Sequence, residues 1–214
     1  MKKTDFTKTS KSDFGYIIYT PAKLRKNLPL IVFLHGAGER GNGTTDLERV
    51  NVHGVSHYCN NGTFELDAVV LCPQCPEGTV WNKMTVELKA LIDRVATKYH
   101  VDTKKISLTG LSMGGFGTWE MALTYPEYFS CFAPICGGGM AWRCGDALKG
   151  KPIWAFHGND DPVVAFSNSV EMVDKARAAG ANIKFTIFDK VGHNSWVSAY
   201  VDTTVINWLL SHSL

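Results

Sequence analysis

Ser112, Asp161 and His193 are the residue types that serine-based acyl transfer needs, and each lies in a glycine-rich or polar turn. Ser112 is the centre of Gly110-Leu111-Ser112-Met113-Gly114, a G-x-S-x-G pattern. A serine hydroxyl is a weak nucleophile until a neighbouring base takes its proton, and it must stand clear of the backbone to meet a carbonyl. A sharp strand-to-helix turn lifts it clear at the cost of backbone strain. The apolar run through Ile106 and Leu108 and the helical stretch from Phe116 to Thr124, closed by Tyr125-Pro126, supply that context. Glycines two before and two after the serine leave room where a Cβ would collide. The turn also aims the Met113 N–H at the space beside Ser112, and the start of a helix favours negative charge there.

A lone pentapeptide of this kind often marks an ordinary turn, so its partners decide the reading. His193 stands between Gly192 and Asn194 on a turn that follows a strand. An imidazole ordinarily titrates near ~6.5, which lets it take and return a proton close to neutrality. Asp161 ends His157-Gly158-Asn159-Asp160-Asp161, after another strand. It would fix the histidine tautomer and steady the imidazolium. Asp160 competes for this role, but reads better as a solvated turn carboxylate. The order serine, acid, histidine, each on a loop after a successive strand, is the order an α/β-hydrolase requires. The small residues of His35-Gly36-Ala37-Gly38 let backbone N–H groups turn inward, which makes the Ala37 N–H the expected second oxyanion donor beside Met113.

Other chemistry-bearing residues carry less. Trp81, Met113, Met140, Trp142 and Trp196 are candidates for lining a substrate pocket, although any one of them serves equally as core packing. His35 and His157 each precede a glycine at a strand end and read as structural. His53 and His57 have the spacing of a helical zinc pair, but no glutamate follows His53 and no third ligand is evident. No metal site is expected. Cys72-Pro-Gln-Cys75 has redox spacing, yet it follows a buried strand and enters a loop, so its expected role is structural.

The elements that must position these groups alternate along the chain. Strands are expected over Phe14–Thr20 (as an edge strand), Leu28–Leu34, Asp67–Cys72, Lys105–Thr109, Phe129–Ile135, Pro152–Phe156 and Ile183–Phe188. Helices are expected over Thr85–Tyr99, Phe116–Thr124, Ser167–Ala179 and Tyr200–Ser211, with a short one within Asn51–Asn61. Nearly unbroken apolar strands such as Leu28–Leu34 belong to parallel sheets covered on both faces. The expected fold class is therefore α/β, a mostly parallel central sheet with helices on both faces. No long insertion separates the elements, so no large cap is expected. One domain over residues 1–214 fits the length.

A formal charge of +2 excludes the basic footprint of a nucleic-acid binder, and no apolar run reaches the ~20 residues of a bilayer span. The polar start, Met1–Asp13, lacks a secretory apolar stretch, so a cytoplasmic location is expected unless a signal was trimmed. The oligomeric state is not legible.

Taken together, the chain resembles the α/β-hydrolase superfamily, and most of all its small lidless esterases of the dienelactone-hydrolase-like, phospholipase/carboxylesterase-like and feruloyl-esterase-like group. It is also similar to the catalytic domain of prolyl oligopeptidases. The matching segments are Leu34-His35-Gly36-Ala37-Gly38-Glu39-Arg40-Gly41, Pro73-Gln74-Cys75-Pro76, Gly110-Leu111-Ser112-Met113-Gly114-Gly115, His157-Gly158-Asn159-Asp160-Asp161 and Gly192-His193-Asn194-Ser195-Trp196. The resemblance implies Ser112 as nucleophile, Asp161 as acid, His193 as base, the N–H groups of Ala37 and Met113 as oxyanion hole, and no metal or organic cofactor. True dienelactone hydrolases use a cysteine nucleophile, so Ser112 argues against dienelactone as substrate. The expected activity is that of a serine carboxylesterase acting on small soluble esters of short-chain acyl, acetyl or aryl (feruloyl) type. A serine peptidase of prolyl-oligopeptidase type and a non-catalytic binding protein on a hydrolase scaffold are the alternatives.

Overall fold

Five-residue runs such as Leu30-Ile31-Val32-Phe33-Leu34 are apolar at every position and fully buried, because each strand face meets its own layer of helices. The computed structural model describes residues 1–9 and 14–214; residues 10–13, the end of the polar start, lie outside the described residues. The strands are β1 (Lys2–Phe6), β2 (Tyr16–Thr20), β3 (Leu30–Leu34), β4 (Val69–Pro73), β5 (Ile106–Leu111), β6 (Cys131–Ile135), β7 (Pro152–Gly158) and β8 (Asn182–Phe188). They form one eight-stranded sheet in the order β1-β2-β4-β3-β5-β6-β7-β8. The β1–β2 and β2–β4 pairings are antiparallel and the others parallel.

The helices are α1 (Gly54–Asn60), α2 (Thr85–Tyr99), α3 (Met113–Thr124), α4 (Ser167–Ala178), α5 (Trp196–Ala199) and α6 (Thr204–Leu210). Alternate strand residues feed two separate cores. Leu30, Val32 and Leu34 pack with Leu88 of α2, Trp119 of α3 and Met172 of α4. Ile31 and Phe33 pack with Val55 of α1 and Ile206 of α6. Each buried aliphatic side chain contributes about 1.5–3 kcal/mol, so the sheet holds both layers firmly. Among the described residues no helix is long and apolar enough to cross a membrane.

Two expectations need correction. The strand over Phe14–Thr20 is not at the edge: β1 pairs along its outer side, from Lys2 opposite Thr20 to Phe6 opposite Tyr16. The sequence hides β1 because its residues are largely exposed and lysine-bearing, as edge strands are, so no apolar alternation marks it. The closing helix expected over Tyr200–Ser211 begins only at Thr204, whose N–H donates to Asp202 Oδ1 at 2.7 Å. Tyr200 instead is buried, with its hydroxyl 2.6 Å from Thr109 Oγ1 on β5.

From β3 the chain crosses to β4 on one side, and from the neighbouring β5 it crosses to β6 on the other. The loops after β3 and β5 therefore part, leaving a crevice at the strands' C-terminal ends, where open α/β sheets bind ligands.

Candidate active site

Ser112 follows β5 directly and precedes α3 with φ +53° and ψ −118°, in the strained region that L-residues avoid. The helix starts at Met113, one turn before its apolar stretch shows in the sequence. The flanking glycines are required by contact. A Cβ on Gly114 would lie 1.9 Å from Leu34 O, and one on Gly110 would lie 2.5 Å from Gly114 O. The turn is thus pressed against the end of β3. Ser112 N–H donates to Ile135 O on β6 at 3.0 Å, which fixes the turn from the other side.

His193 Nε2 lies 2.9 Å from Ser112 Oγ, and His193 Nδ1 lies 2.7 Å from Asp161 Oδ2. The carboxylate accepts, so Nδ1 carries the proton and Nε2 is free to accept from the serine hydroxyl. The other carboxylate oxygen, Oδ1, accepts the N–H groups of Val163 and Val164, each at 2.9 Å. Burial by itself would raise the Asp161 carboxyl. The hydrogen bonds from His193, Val164 and Val163 outweigh it and hold the group below its ordinary range. Asp160 is exposed, and its N–H is spent on Val191 O at 3.1 Å, so it stands outside this chain of contacts.

The two loops that carry Asp161 and His193 are stitched together. Asn159 Nδ2 donates to Asp189 Oδ1 at 2.9 Å, and Lys190 N–H donates to Asn159 Oδ1 at 2.7 Å. Gly158 lets the second loop cross it closely, since a Cβ there would sit 2.2 Å from Val191 O. Nothing in the sequence distinguishes Asn159 from a surface turn residue. Its role exists only because β7 and β8 are neighbours.

The loop after β3 is braced from beneath. His35 is buried, accepts the Cys75 N–H at Nε2 (2.9 Å) and lies 2.6 Å from Gly36 O at Nδ1. Burial pushes this imidazole down to about 4, so it is a neutral strut, as its sequence context suggests. Trp81 is a correction: it does not line a pocket but is fully buried, donating Nε1–H to His35 O at 3.0 Å. Ala37 opens a 3-10 turn and Met113 opens α3, so the N–H of each lacks an acceptor within its own helix. Both residues line cavities that reach Ser112.

Two cavities meet at Ser112. The first, about 380 Å³, is lined by Val80, Asn82, Met113 and Phe116. The second, about 210 Å³, includes Glu39, His53, Val163, His193 and Trp196 in its lining. Trp196 lines this second cavity, and its ring stands edge-on to His193 at 5.2 Å between centroids. Met140 (45% exposed) and Trp142 (80% exposed) are corrections: they line neither cavity and face solvent on the loop after β6. Val80, Phe116, Glu39 and His53 were not singled out as pocket residues from the sequence. Glu39 sits in the Leu34–Gly41 segment, but its burial follows from the loop's curl, which no local pattern encodes.

The Cys136, Asp161 and His193 ligand atoms lie within 4.8 Å of one another, which is a possible metal-donor set. Burial pushes the Cys136 thiol up to about 12, and the Asp161–His193 contact is already a hydrogen bond. The six cysteines are all unpaired thiols, and Cys72 and Cys75 are both buried.

Burial raises the Glu39 carboxyl above its ordinary range, against smaller opposing effects of His53 and nearby N–H groups. Such a group binds its proton more tightly folded than unfolded. Folding stability therefore falls as pH rises from the ordinary value near ~4.3 through the raised one. Glu39→Gln has no proton to lose and is expected to melt above wild type at pH 7, with the gap closing toward pH 4. Thermal melts across that range check this; a lower melting point for the variant at pH 7 would mean that the charge itself holds the loop.

The sheet, the strained serine turn and the hydrogen-bonded serine, histidine and aspartate define an α/β-hydrolase. Residues 67–198, more than half of the chain, match the Dienelactone hydrolase family. The chain belongs to that family. It is 29% identical over 154 residues to the bifunctional acetylxylan esterase/xylanase XynS20E of Neocallimastix patriciarum, covering 70% of this chain and 22% of that protein. It is 28% identical over 211 residues to poly(3-hydroxyalkanoate) depolymerase C of Paucimonas lemoignei, covering 78% of this chain and 49% of that protein. The chain thus spans less than half the length of either relative. Among solved structures, a thermostable esterase superposes with a TM-score of 0.82 at 30% identity, over 99% of this chain and 63% of that one. Acetyl xylan esterase from Aspergillus awamori shares the fold, with a TM-score of 0.72 at 15% identity, over 98% of this chain and 99% of that one. Family and fold make this domain an α/β-hydrolase of the Dienelactone hydrolase family, and these relatives are esterases and a depolymerase.

Proposed function

We propose that the chain is a serine carboxylesterase in which Ser112 is the nucleophile, His193 the general base and Asp161 the orienting acid. The observation that carries this is the unbroken contact from Ser112 Oγ through His193 to Asp161, at 2.9 and 2.7 Å. His193 Nε2 takes the hydroxyl proton as Oγ attacks the ester carbonyl. The N–H groups of Ala37 and Met113 receive the oxyanion, and each such donor is worth about 3 kcal/mol. The tetrahedral intermediate collapses, Nε2 returns the proton to the leaving alcohol, and water clears the acyl-enzyme by the reverse path.

The two cavities suggest how an ester lies. The leaving oxygen must come within reach of His193 Nε2, so the alcohol half occupies the cavity that His193 lines. The acyl half then enters the cavity of Val80, Met113 and Phe116, whose size and apolar side chains suit a short acyl or aryl group. On the alcohol side, Glu39, His53 and Trp196 bring polar groups to the cavity, which suits a hydroxyl-bearing alcohol. Acetylated or feruloylated sugars combine these halves, in line with the acetylxylan esterase relative.

The test is labelling of the pure protein by a fluorophosphonate together with a panel of p-nitrophenyl esters, acetylated sugars and aminoacyl-naphthylamides. Labelling with turnover of acetyl and aryl esters, and little of the amides, is the expected result. Absence of labelling would return the chain to a non-catalytic binding role, and a preference for amides would make it a peptidase.

A further inference from the structure

Asp161 Oδ2 is approached by two histidines. Besides His193 Nδ1 at 2.7 Å, His157 Nε2 lies 3.1 Å from the same oxygen. His157 Nε2 is also 3.1 Å from Val164 O. Both of these partners are acceptors only, so Nε2 carries the ring proton. Nδ1 is then an acceptor 2.6 Å from Ser169 Oγ in the first turn of α4, and the single hydroxyl proton is shared between Nδ1 and Gly137 O, 2.7 Å away beyond β6. The ring is fully buried, as is the Asp161 side chain. It therefore ties the Asp161 loop to two rigid elements that the serine turn does not touch through Asp161.

The geometry points to His157 as a positioning residue for the reaction: its Nε2–H holds Asp161 Oδ2 in line with His193 and shares that oxygen with the base. The inference rests on the esterase reading above. An imidazole buried here is more than a packing element, because burying it without partners would be costly and its one N–H is divided between the acid and Val164 O, at 3.1 Å each. Burial lowers the His157 imidazole below its ordinary value, so near neutrality it donates as an uncharged ring.

The sign of its effect follows. An oxygen that accepts two N–H groups is a weaker partner for each. Without His157 the carboxylate turns its full charge on His193 and stabilises the imidazolium, so the acid limb of the pH–activity profile moves to higher pH. The carboxylate is also freer to swing, which lowers kcat. The other titratable groups near this pair are Cys136 from the end of β6, whose thiol stays protonated, and, around the cavity of His193, Glu39 and His53. None of them is altered by the substitutions.

The experiment compares His157→Leu, which removes the donor, with His157→Gln, whose amide N–H can occupy the place of Nε2–H. Turnover of p-nitrophenyl acetate by the full chain is followed against pH. We expect His157→Leu to lose roughly 10- to 100-fold in kcat with a far smaller change in KM. Its acid limb should move up by about 0.5 pH unit or more. His157→Gln should regain most of both. Equal losses in the two variants with an unmoved acid limb would reduce His157 to packing and overturn the inference. Should His157→Leu fail to fold, Ser169→Ala leaves the histidine but frees its ring, and an unmoved limb there is equally fatal. Imidazole titration by NMR reads the same displacement without turnover. A wild-type protein that hydrolyses no ester would fail the esterase reading, whereas an unshifted His193 titration would fail the positioning role.

Discussion

Ser112→Ala is expected to reduce turnover of p-nitrophenyl acetate by roughly 10⁶-fold while leaving the fold intact. The hydroxyl is the only group that the change removes, and it is the atom that would form the acyl bond. His193 and Asp161 keep their own contact, so the site should retain its shape. Alanine meets the same positive φ that serine does, and the turn stays as strained as before. The melting temperature should therefore match wild type. Glycine at 112 gives the useful contrast, because it adopts φ +53° without strain. Ser112→Gly should be equally inactive yet more stable, by about 1 kcal/mol or more of released strain. Substantial turnover by the alanine variant, with contaminating esterase excluded by the fluorophosphonate label, would move the chemistry elsewhere.

Asp161→Asn is expected to cost about 10⁴-fold in kcat, and Asp160→Asn to stay close to wild type. The reason is proton placement rather than geometry. The carboxylate accepts from His193 Nδ1, which leaves Nε2 open toward Ser112. An amide can turn its NH₂ toward Nδ1 and so favour the opposite tautomer, whose Nε2–H cannot take the serine proton. The amide also meets a second N–H, from His157, at the oxygen the carboxylate offered to both histidines. Asp160 has no such contacts, and its carboxylate faces water. Parallel kcat measurements on both variants decide the matter. A larger loss at 160 than at 161 would transfer the role of the acid.

Much of this site was legible before any coordinates. The glycines around Ser112 announce a tight turn because only they tolerate the approach of Leu34 O and Gly114 O. The turns after β7 and β8 carry polar residues that apolar strands would not, which draws the eye to Asp161 and His193. The pocket was far less legible. Trp81, Met140, Trp142 and Trp196 are alike as sequence, yet one is core, two face solvent and one stands beside the His193 imidazole. A large apolar side chain carries no local mark of the neighbours it will meet. The same holds for β1, whose pairing is a backbone affair that its lysines conceal.

The order of apolar runs and turns along the chain determined the alternation of strands and helices, the position of the strained serine and which carboxylate and imidazole stand in turns at strand ends. Those are local properties, set by periodicity, steric allowance and side-chain chemistry within a few residues. The tertiary structure alone decided that Asp161 serves two histidines, that Asn159 ties two loops together, and that Glu39 is buried at the rim of the cleft. Each depends on residues far apart in the chain being brought together by neighbouring strands, and such distances are fixed only when the whole sheet closes.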